Sequence, residues 1–324
     1  MTKVTRREFV QASSVLVAAV PALAAVTASA QPPGPPPAPD TGKLRVEKDV
    51  VFGKGGDIDL LLDVYRPPEG VTSKRLAIIH LFGGGFFVGN KSAGYIINDA
   101  KALGNRGYTS ISANYRLQSQ GKWPAQIHDV KAAIRWTRAN AAKLGVDADK
   151  IVIAGYSAGG MLSLMAAGTN GKAEFEGTGG TQGVSSDVNA SIGVYPLASA
   201  ETAKGLFEDG KATPAAIAAA SPTSYITAKF APTIFVHGTG DKTVPLTSSL
   251  DFFNKLNGLG VPTALTAIQG AAHAFDVAAL DAVETMAQSI DLFLDRLLVN
   301  PKPYPAFGLP PGGGRPGGGP RPPG

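Results

Sequence analysis

No cysteine occurs in the 324 residues, which excludes a thiol nucleophile, a structural disulfide and any thiolate metal site. Histidine is scarce. His80, His128, His237 and His273 are the four present, and no two stand at His-x-x-x-His or similar spacing, so no metal site is expected. Long apolar runs are missing as well. The most sustained one, residues 15–28, contains Pro21 and falls short of the roughly 18 residues that cross a bilayer. An excess of one charge is missing where it would matter. The formal net charge is +5 and the pI about 9.3, yet Lys3, Arg6, Arg7 and Glu8 give residues 1–30 a net +2, and Lys302, Arg315 and Arg321 give residues 301–324 a net +3. Residues 31–300 therefore sum to zero. A neutral body offers no basic face to phosphates, so nucleic acid is not an expected partner.

The ends of the chain read differently from its middle. Thr5-Arg6-Arg7-Glu8-Phe9-Val10 is a twin-arginine start, the apolar run follows, and Ala28-Ser29-Ala30 offers a small-x-small cleavage site before Gln31. Residues 1–30 are expected to be an export signal, with the mature protein periplasmic or secreted and free of a membrane span. Export in folded form suits a chain without disulfides. Residues 31–43 are a Pro-rich spacer and residues 301–324 a Pro/Gly-rich tail, both too poor in apolar side chains to offset their ordering entropy. One large domain is expected between them, over residues 44–300.

That body alternates strand and helix signals. Residues 45–52 and 58–65 read as two strands joined by Gly55-Gly56, and residues 76–82 as a core strand running into Gly83-Gly84-Gly85. Residues 99–103 read as helix and 109–115 as strand. Residues 125–144 carry one long amphipathic pattern stopped by Gly145, 192–195, 233–237 and 264–268 are further strands, and 278–298 is a closing helix. Such alternation predicts a mostly parallel sheet with helices on both faces, an α/β fold.

Ile151-Val152-Ile153-Ala154 reads as a buried strand and runs straight into Gly155-Tyr156-Ser157-Ala158-Gly159-Gly160, after which residues 161–167 are good helix formers. A G-x-S-x-G pinched between strand and helix resembles the nucleophile elbow of the α/β-hydrolases. A serine needs an imidazole to take its proton, a carboxylate to orient that imidazole, and donors for an oxyanion. In the fold that the motif resembles, the order is Ser, then Asp or Glu, then His. His80 and His128 precede Ser157, and His237 ends a strand with no strand-end acid before it. His273 lies between the last strand and the last helix, and Asp241 lies just past the penultimate strand, while the rivals Asp251 and Asp276 fall in a helix and out of order. Ser157, Asp241 and His273 are the expected nucleophile, acid and base. Ala158, Gly83 and Gly84 are the expected backbone donors of the oxyanion hole.

Residues 45–298 resemble the acetyl esterase/feruloyl esterase-like branch of the α/β-hydrolases, close to the hormone-sensitive-lipase-type esterases. The likeness rests on Gly83-Gly84-Gly85-Phe86 with Gly89, Asn114-Tyr115-Arg116-Leu117, Trp123-Pro124-Ala125, Ile134-Arg135-Trp136, the motif around Ser157, Ser221-Pro222, and His237-Gly238 to Asp241 with Val244-Pro245, and His273 completes it. It implies an α/β-hydrolase fold and a serine carboxylic-ester hydrolase without a cofactor. The implied substrates are small acyl or aryl esters, or acetyl or feruloyl esters of plant polysaccharides. A prolyl-oligopeptidase-type peptidase and a non-catalytic hydrolase-like envelope protein are the alternatives. One departure stands out: the family histidine before the three glycines is Phe82 here. His80, on the same strand face, is a candidate substitute anchor for the glycine loop. Phe86, Phe87, Trp123 and Tyr195 are candidates to line the site, and the Gly-rich residues 169–188 to form its rim or a small lid.

Overall fold

The computed structural model describes residues 42–208 and 212–302. The segments expected to be an export signal, a spacer and a tail lie wholly or almost wholly outside the described residues. In chain order the elements are β1 (Arg45–Gly55), β2 (Ile58–Arg66), β3 (Ala77–Leu81), α1 (Gly94–Gly104), β4 (Thr109–Ala113), α2 (Ala125–Ala139) and α3 (Ala141–Leu144). Then follow β5 (Ile151–Tyr156), α4 (Ala158–Gly168), β6 (Ala190–Val194), α5 (Pro214–Ala220), β7 (Thr233–Gly238), α6 (Thr247–Gly258), β8 (Thr263–Ile268) and α7 (Leu280–Leu294). The eight strands form one sheet in the order β1-β2-β4-β3-β5-β6-β7-β8. β1 and β2 are antiparallel to their neighbours and every other pairing is parallel.

The arrangement follows from burial. Every residue of β3, β4, β5, β6 and β7 is buried, which is why those segments read as near-continuous apolar runs and not as alternating ones. β8 at the edge is only half-buried. The chain leaves β3 for β4 on one side and returns to β5 on the other, so the carboxyl ends of β3 and β5 flank a crevice where strand order reverses, the usual place for a ligand in an open α/β sheet. α4 is buried along its length, from Ala158 to Ala167, because it lies against the sheet and packs on α2.

Two expectations need correction. Residues 125–144 are two helices and not one. At Asn140 the side-chain Nδ2 and the backbone N both donate to Trp136 O, at 2.9 and 3.0 Å. The backbone bond is the regular i→i−4 one, but Asn140 itself leaves helical dihedrals, at φ −100° and ψ 11°, and the chain restarts as α3 before Gly145 ends it in a left-handed conformation. The second concerns residues 169–188, which do not overhang the strand ends. Arg135, buried on α2, gathers them. Its Nε donates to Thr181 O at 2.7 Å, Nη2 to Gly179 O at 2.6 Å, and Nη1 to Glu176 O and Oε2 at 2.9 and 2.8 Å. A planar guanidinium with all its donors in a fixed fork suits such a fastening. The segment packs toward β1, where a Cβ on Gly180 would sit 3.0 Å from Phe52 O.

Arg135→Ala leaves four acceptors without their donor, one of them the part-exposed Glu176 carboxylate. We expect a loss on the order of 3 kcal/mol in urea unfolding, with new protease cuts confined to residues 176–187. Unchanged stability and an unchanged digest would show that the segment holds itself.

Candidate active site

The geometry begins with a steric demand at β5. A Cβ on Gly155 would lie 2.0 Å from Gly159 O, so the chain can turn from β5 into α4 only with hydrogen at that position. Ser157 occupies the turn with φ 53° and ψ −115°, a region that non-glycine residues rarely adopt. Its N–H donates to Val194 O at 3.0 Å and its carbonyl accepts from Met161 N at 3.1 Å. These bonds tie the strained residue to β6 and to the first turn of α4, and Ser157 opens onto the cavity at the strand ends.

Asp241 and His273 arrive from the loops after β7 and β8, and those loops are laced together. Thr239 N donates to Ile268 O at 2.9 Å, Gly240 N to Ala271 O at 3.0 Å, and Gly270 N to Thr239 Oγ1 at 2.8 Å. The lacing brings His273 Nδ1 to 2.7 Å from Asp241 Oδ2 and His273 Nε2 to 3.0 Å from Ser157 Oγ. With the carboxylate as acceptor, Nδ1 carries the proton, which leaves the Nε2 lone pair facing the serine hydroxyl. The structure therefore brings together the three residues predicted as nucleophile, acid and base.

The carboxylate of Asp241 is kept ionised. Burial alone would push its pKa up, but the bond to His273 and the N–H groups of Val244 and Thr243, at 2.9 and 2.8 Å from Oδ1, hold it below the ordinary carboxylate value. A neighbour not foreseen from the sequence is His237. Its Nε2 donates to Val244 O at 2.9 Å and lies 3.3 Å from Asp241 Oδ2, and its Nδ1 accepts from Ser249 Oγ at 2.8 Å. Burial lowers its pKa, so it stays neutral and steadies the acid without competing for its charge.

Asp276, out of order for the triad, has another place. It is fully buried, and both its oxygens accept from Tyr195 Oη, at 2.6 and 2.8 Å. The Tyr195 ring then stands 4.7 Å from the His273 imidazole, forming the wall against which the base rests. Burial pushes the Asp276 carboxyl up to about 6, the Tyr195 bond opposing. Nearby Asp99 is also buried, against Tyr156, and burial with the Asp276 charge raises its pKa well above the usual range.

The glycine loop differs in one donor from expectation. Gly83 N–H already donates to Tyr95 Oη at 2.8 Å, whereas the N–H groups of Gly84, Gly85 and Ala158 have no acceptor among the described residues. Gly84 has φ 118° and a Cβ there would lie 2.0 Å from Val88 O, so only glycine permits the tight return. Of the expected oxyanion donors, Gly84 and Ala158 are available beside Ser157 and Gly83 is engaged. His80 does not anchor this loop. It is buried between Tyr156 Oη and Ser110 Oγ, each at 3.0 Å, and burial lowers it to about 3. It is a satisfied core histidine.

The cavity over Ser157 measures about 540 Å³ and is mostly apolar, with Val88, Ala93, Leu197 and Val244 among its walls. Of the four aromatic candidates only Tyr195 lines it, joined by Tyr95 and Tyr156. Phe86 is buried edge-on against Tyr115, Trp123 packs near Phe175, and Phe87 is half-exposed outside.

The profile of the BD-FAE family matches residues 62–256. The chain is 30% identical over 275 residues to the esterase LipQ of Mycobacterium tuberculosis, covering 80% of this chain and 64% of that protein. It thus spans less than two thirds of that relative's length. Thermogutta terrifontis esterase 2 in a propionate-bound structure is similar at a TM-score of 0.67 and 32% identity, covering 82% of this chain and 98% of that one. A truncated carbohydrate esterase from gut microbiota is similar at a TM-score of 0.66 and 26% identity, covering 79% and 99%.

The pKa of Asp276 gives a signed expectation. A carboxyl raised above its unfolded value adds stability that is fully present below about 4 and is lost as pH rises through about 6. Acidifying from pH 7 to 4 should therefore favour the native protein relative to an Asp276→Asn variant, read as the difference in Tm at each pH. Parallel Tm profiles for the two proteins would refute it.

Proposed function

The chain belongs to the BD-FAE family, and we propose that it is a serine carboxylic-ester hydrolase working through an acyl-enzyme on Ser157. The observation that carries this is the continuous line from Asp241 through His273 to Ser157, 2.7 and 3.0 Å per step, ending at the floor of an apolar cavity. In acylation the Ser157 Oγ–H proton passes to His273 Nε2 as Oγ bonds to the ester carbonyl carbon, and the carbonyl π pair moves to oxygen. The Gly84 and Ala158 N–H groups are positioned to receive that oxyanion. Collapse expels the alkoxide, which takes the proton from His273, and a water then repeats the sequence to release the acid. Asp241 stays ionised throughout and stabilises the imidazolium.

The cavity's size and apolar walls suit a short acyl or aryl group, while an open mouth leaves a larger alcohol outside. Small acyl and aryl esters are accordingly the proposed substrates, with acetyl or feruloyl groups on plant polysaccharides as the finer reading. The similar Thermogutta esterase holding propionate supports the acyl size. Export by the twin-arginine route, to the periplasm or beyond, belongs to the same reading through Arg6-Arg7 and Ala28-Ser29-Ala30. No helix among the described residues is long and apolar enough to cross a membrane.

A fluorophosphonate probe should label the wild type at Ser157 and leave Ser157→Ala unlabelled, and hydrolysis of p-nitrophenyl acetate should fall by about 10³-fold or more in that variant. Equal labelling of both proteins, or none of either, ends the esterase reading. A panel of acetylated xylan, methyl ferulate and p-nitrophenyl butyrate then ranks the substrate classes. Replacing Arg6 and Arg7 together by Lys should retain the precursor inside the cell in fractionation, and unaltered export would remove the twin-arginine reading.

A further inference from the structure

The Phe82–Gly83 peptide lies at the root of the glycine loop, and both of its polar ends are taken by phenols. Its carbonyl, Phe82 O, accepts from Tyr115 Oη at 2.8 Å. Its N–H, that of Gly83, donates to Tyr95 Oη at 2.8 Å. The two tyrosines come from separate elements, Tyr95 from the first turn of α1 and Tyr115 from just beyond β4. Each ring is itself fixed. Tyr115 stacks on Phe82 at 4.2 Å with the planes 8° apart, and Tyr95 meets the Tyr156 ring edge-on at 5.1 Å. Tyr156 immediately precedes Ser157, so Tyr95 touches both the nucleophile's strand and the glycine loop.

From this we propose that Tyr95 and Tyr115 are positioning residues, a two-phenol clamp that fixes the Phe82–Gly83 peptide plane and thereby aims the Gly84 N–H at the oxyanion. A peptide plane is rigid, so holding its oxygen and its hydrogen at opposite ends removes the rotation that would swing the next N–H away. The clamp does the anchoring for which His80 is unavailable and which Phe82, with no polar atom in its side chain, cannot do. Burial supports the assignment by pushing the Tyr95 phenol up to about 12 and the Tyr115 phenol well up. Both keep their protons at neutral pH, so Tyr115 remains a donor and Tyr95 does not become a charged intruder in the site. The inference rests on the reading of Ser157 as the acylated nucleophile.

The test compares Tyr95→Phe, Tyr115→Phe and the double variant in the full chain, with each rate expressed per active site titrated by fluorophosphonate so that misfolded protein does not count. Tyr108→Phe, whose hydroxyl bonds to Asp291 away from the site, serves as the control for loss of a buried hydroxyl. Each clamp variant should lose on the order of 10–100-fold in kcat on p-nitrophenyl acetate, with KM moved by less than about threefold because ground-state binding is left alone. Affinity for a trifluoromethyl ketone, which forms the tetrahedral oxyanion, should fall in step with kcat. The double variant should lose less than the product of the two single losses, since both act on one peptide. A kcat and ketone affinity within twofold of wild type in both single variants, or the same loss in Tyr108→Phe, overturns the clamp. Absence of labelling and ketone binding in the wild type would instead overturn the serine-hydrolase reading beneath it.

Discussion

At the exit of β5 the backbone of α4 comes so close that a single Cβ on Gly155 would overlap Gly159 O, and one on Gly159 would overlap Leu81 O of β3. The rest of the site depends on this lack of room. Because the helix starts against the strand ends, Ser157 is forced out of the sheet and into the crevice, and the Ala158 N–H is left as an unsatisfied first-turn donor. The same closeness places the glycine loop after β3 directly over the elbow. Strand order then matters, because the strands on either side of β5 deliver the remaining groups to its carboxyl end. β3 supplies the loop on one side, and β6, β7 and β8 supply Tyr195, Asp241 and His273 on the other.

Around that point the protein assembles two kinds of support. The charged part is small: the Asp241 carboxylate, held by two backbone N–H groups and by His273 with neutral His237 beside it, and Asp276 behind Tyr195. The larger part is aromatic and uncharged. Tyr195 backs the imidazole, Tyr156 carries the serine, and Tyr95 and Tyr115 grip the glycine loop. Phenols suit this work because each supplies a flat packing face and one polar atom. Their burial raises their pKa values, so the floor of the site holds its hydrogen-bond pattern across neutral pH.

Much of this was legible beforehand, and the reason is physical. The fully buried strands announced themselves as apolar runs, and the elbow did so because its steric demand is written in residue types. The order of Ser157, Asp241 and His273 along the chain followed the topology. What escaped the sequence depends on contacts between distant residues. Nothing near Asn140 marks it as a helix break, since the departure there is one of backbone dihedrals at a single residue. Residues 169–188 read as a rim because glycine signals a loop without saying where it goes, and Arg135 decides that from 41 to 46 positions away. Phe86 and Trp123 were indistinguishable from pocket aromatics until packing placed them. Asp276 was set aside on chain order, which governs the triad and says nothing about a carboxylate that acts through a tyrosine. The orientation of the Phe82–Gly83 peptide is invisible in any string of letters, so the engagement of Gly83 with Tyr95 could not be anticipated.

Ser157 sits at φ 53° and ψ −115°, where a residue with a side chain costs the fold on the order of 1–3 kcal/mol of strain that glycine escapes. Its surroundings are already tailored to glycine, with Gly155, Gly159 and Gly160 on either side. For folding alone, then, the favoured substitution at this position is the one that erases the hydroxyl. Serine at this position, in its strained conformation and in reach of an imidazole, holds its hydroxyl in the crevice at a cost to the fold.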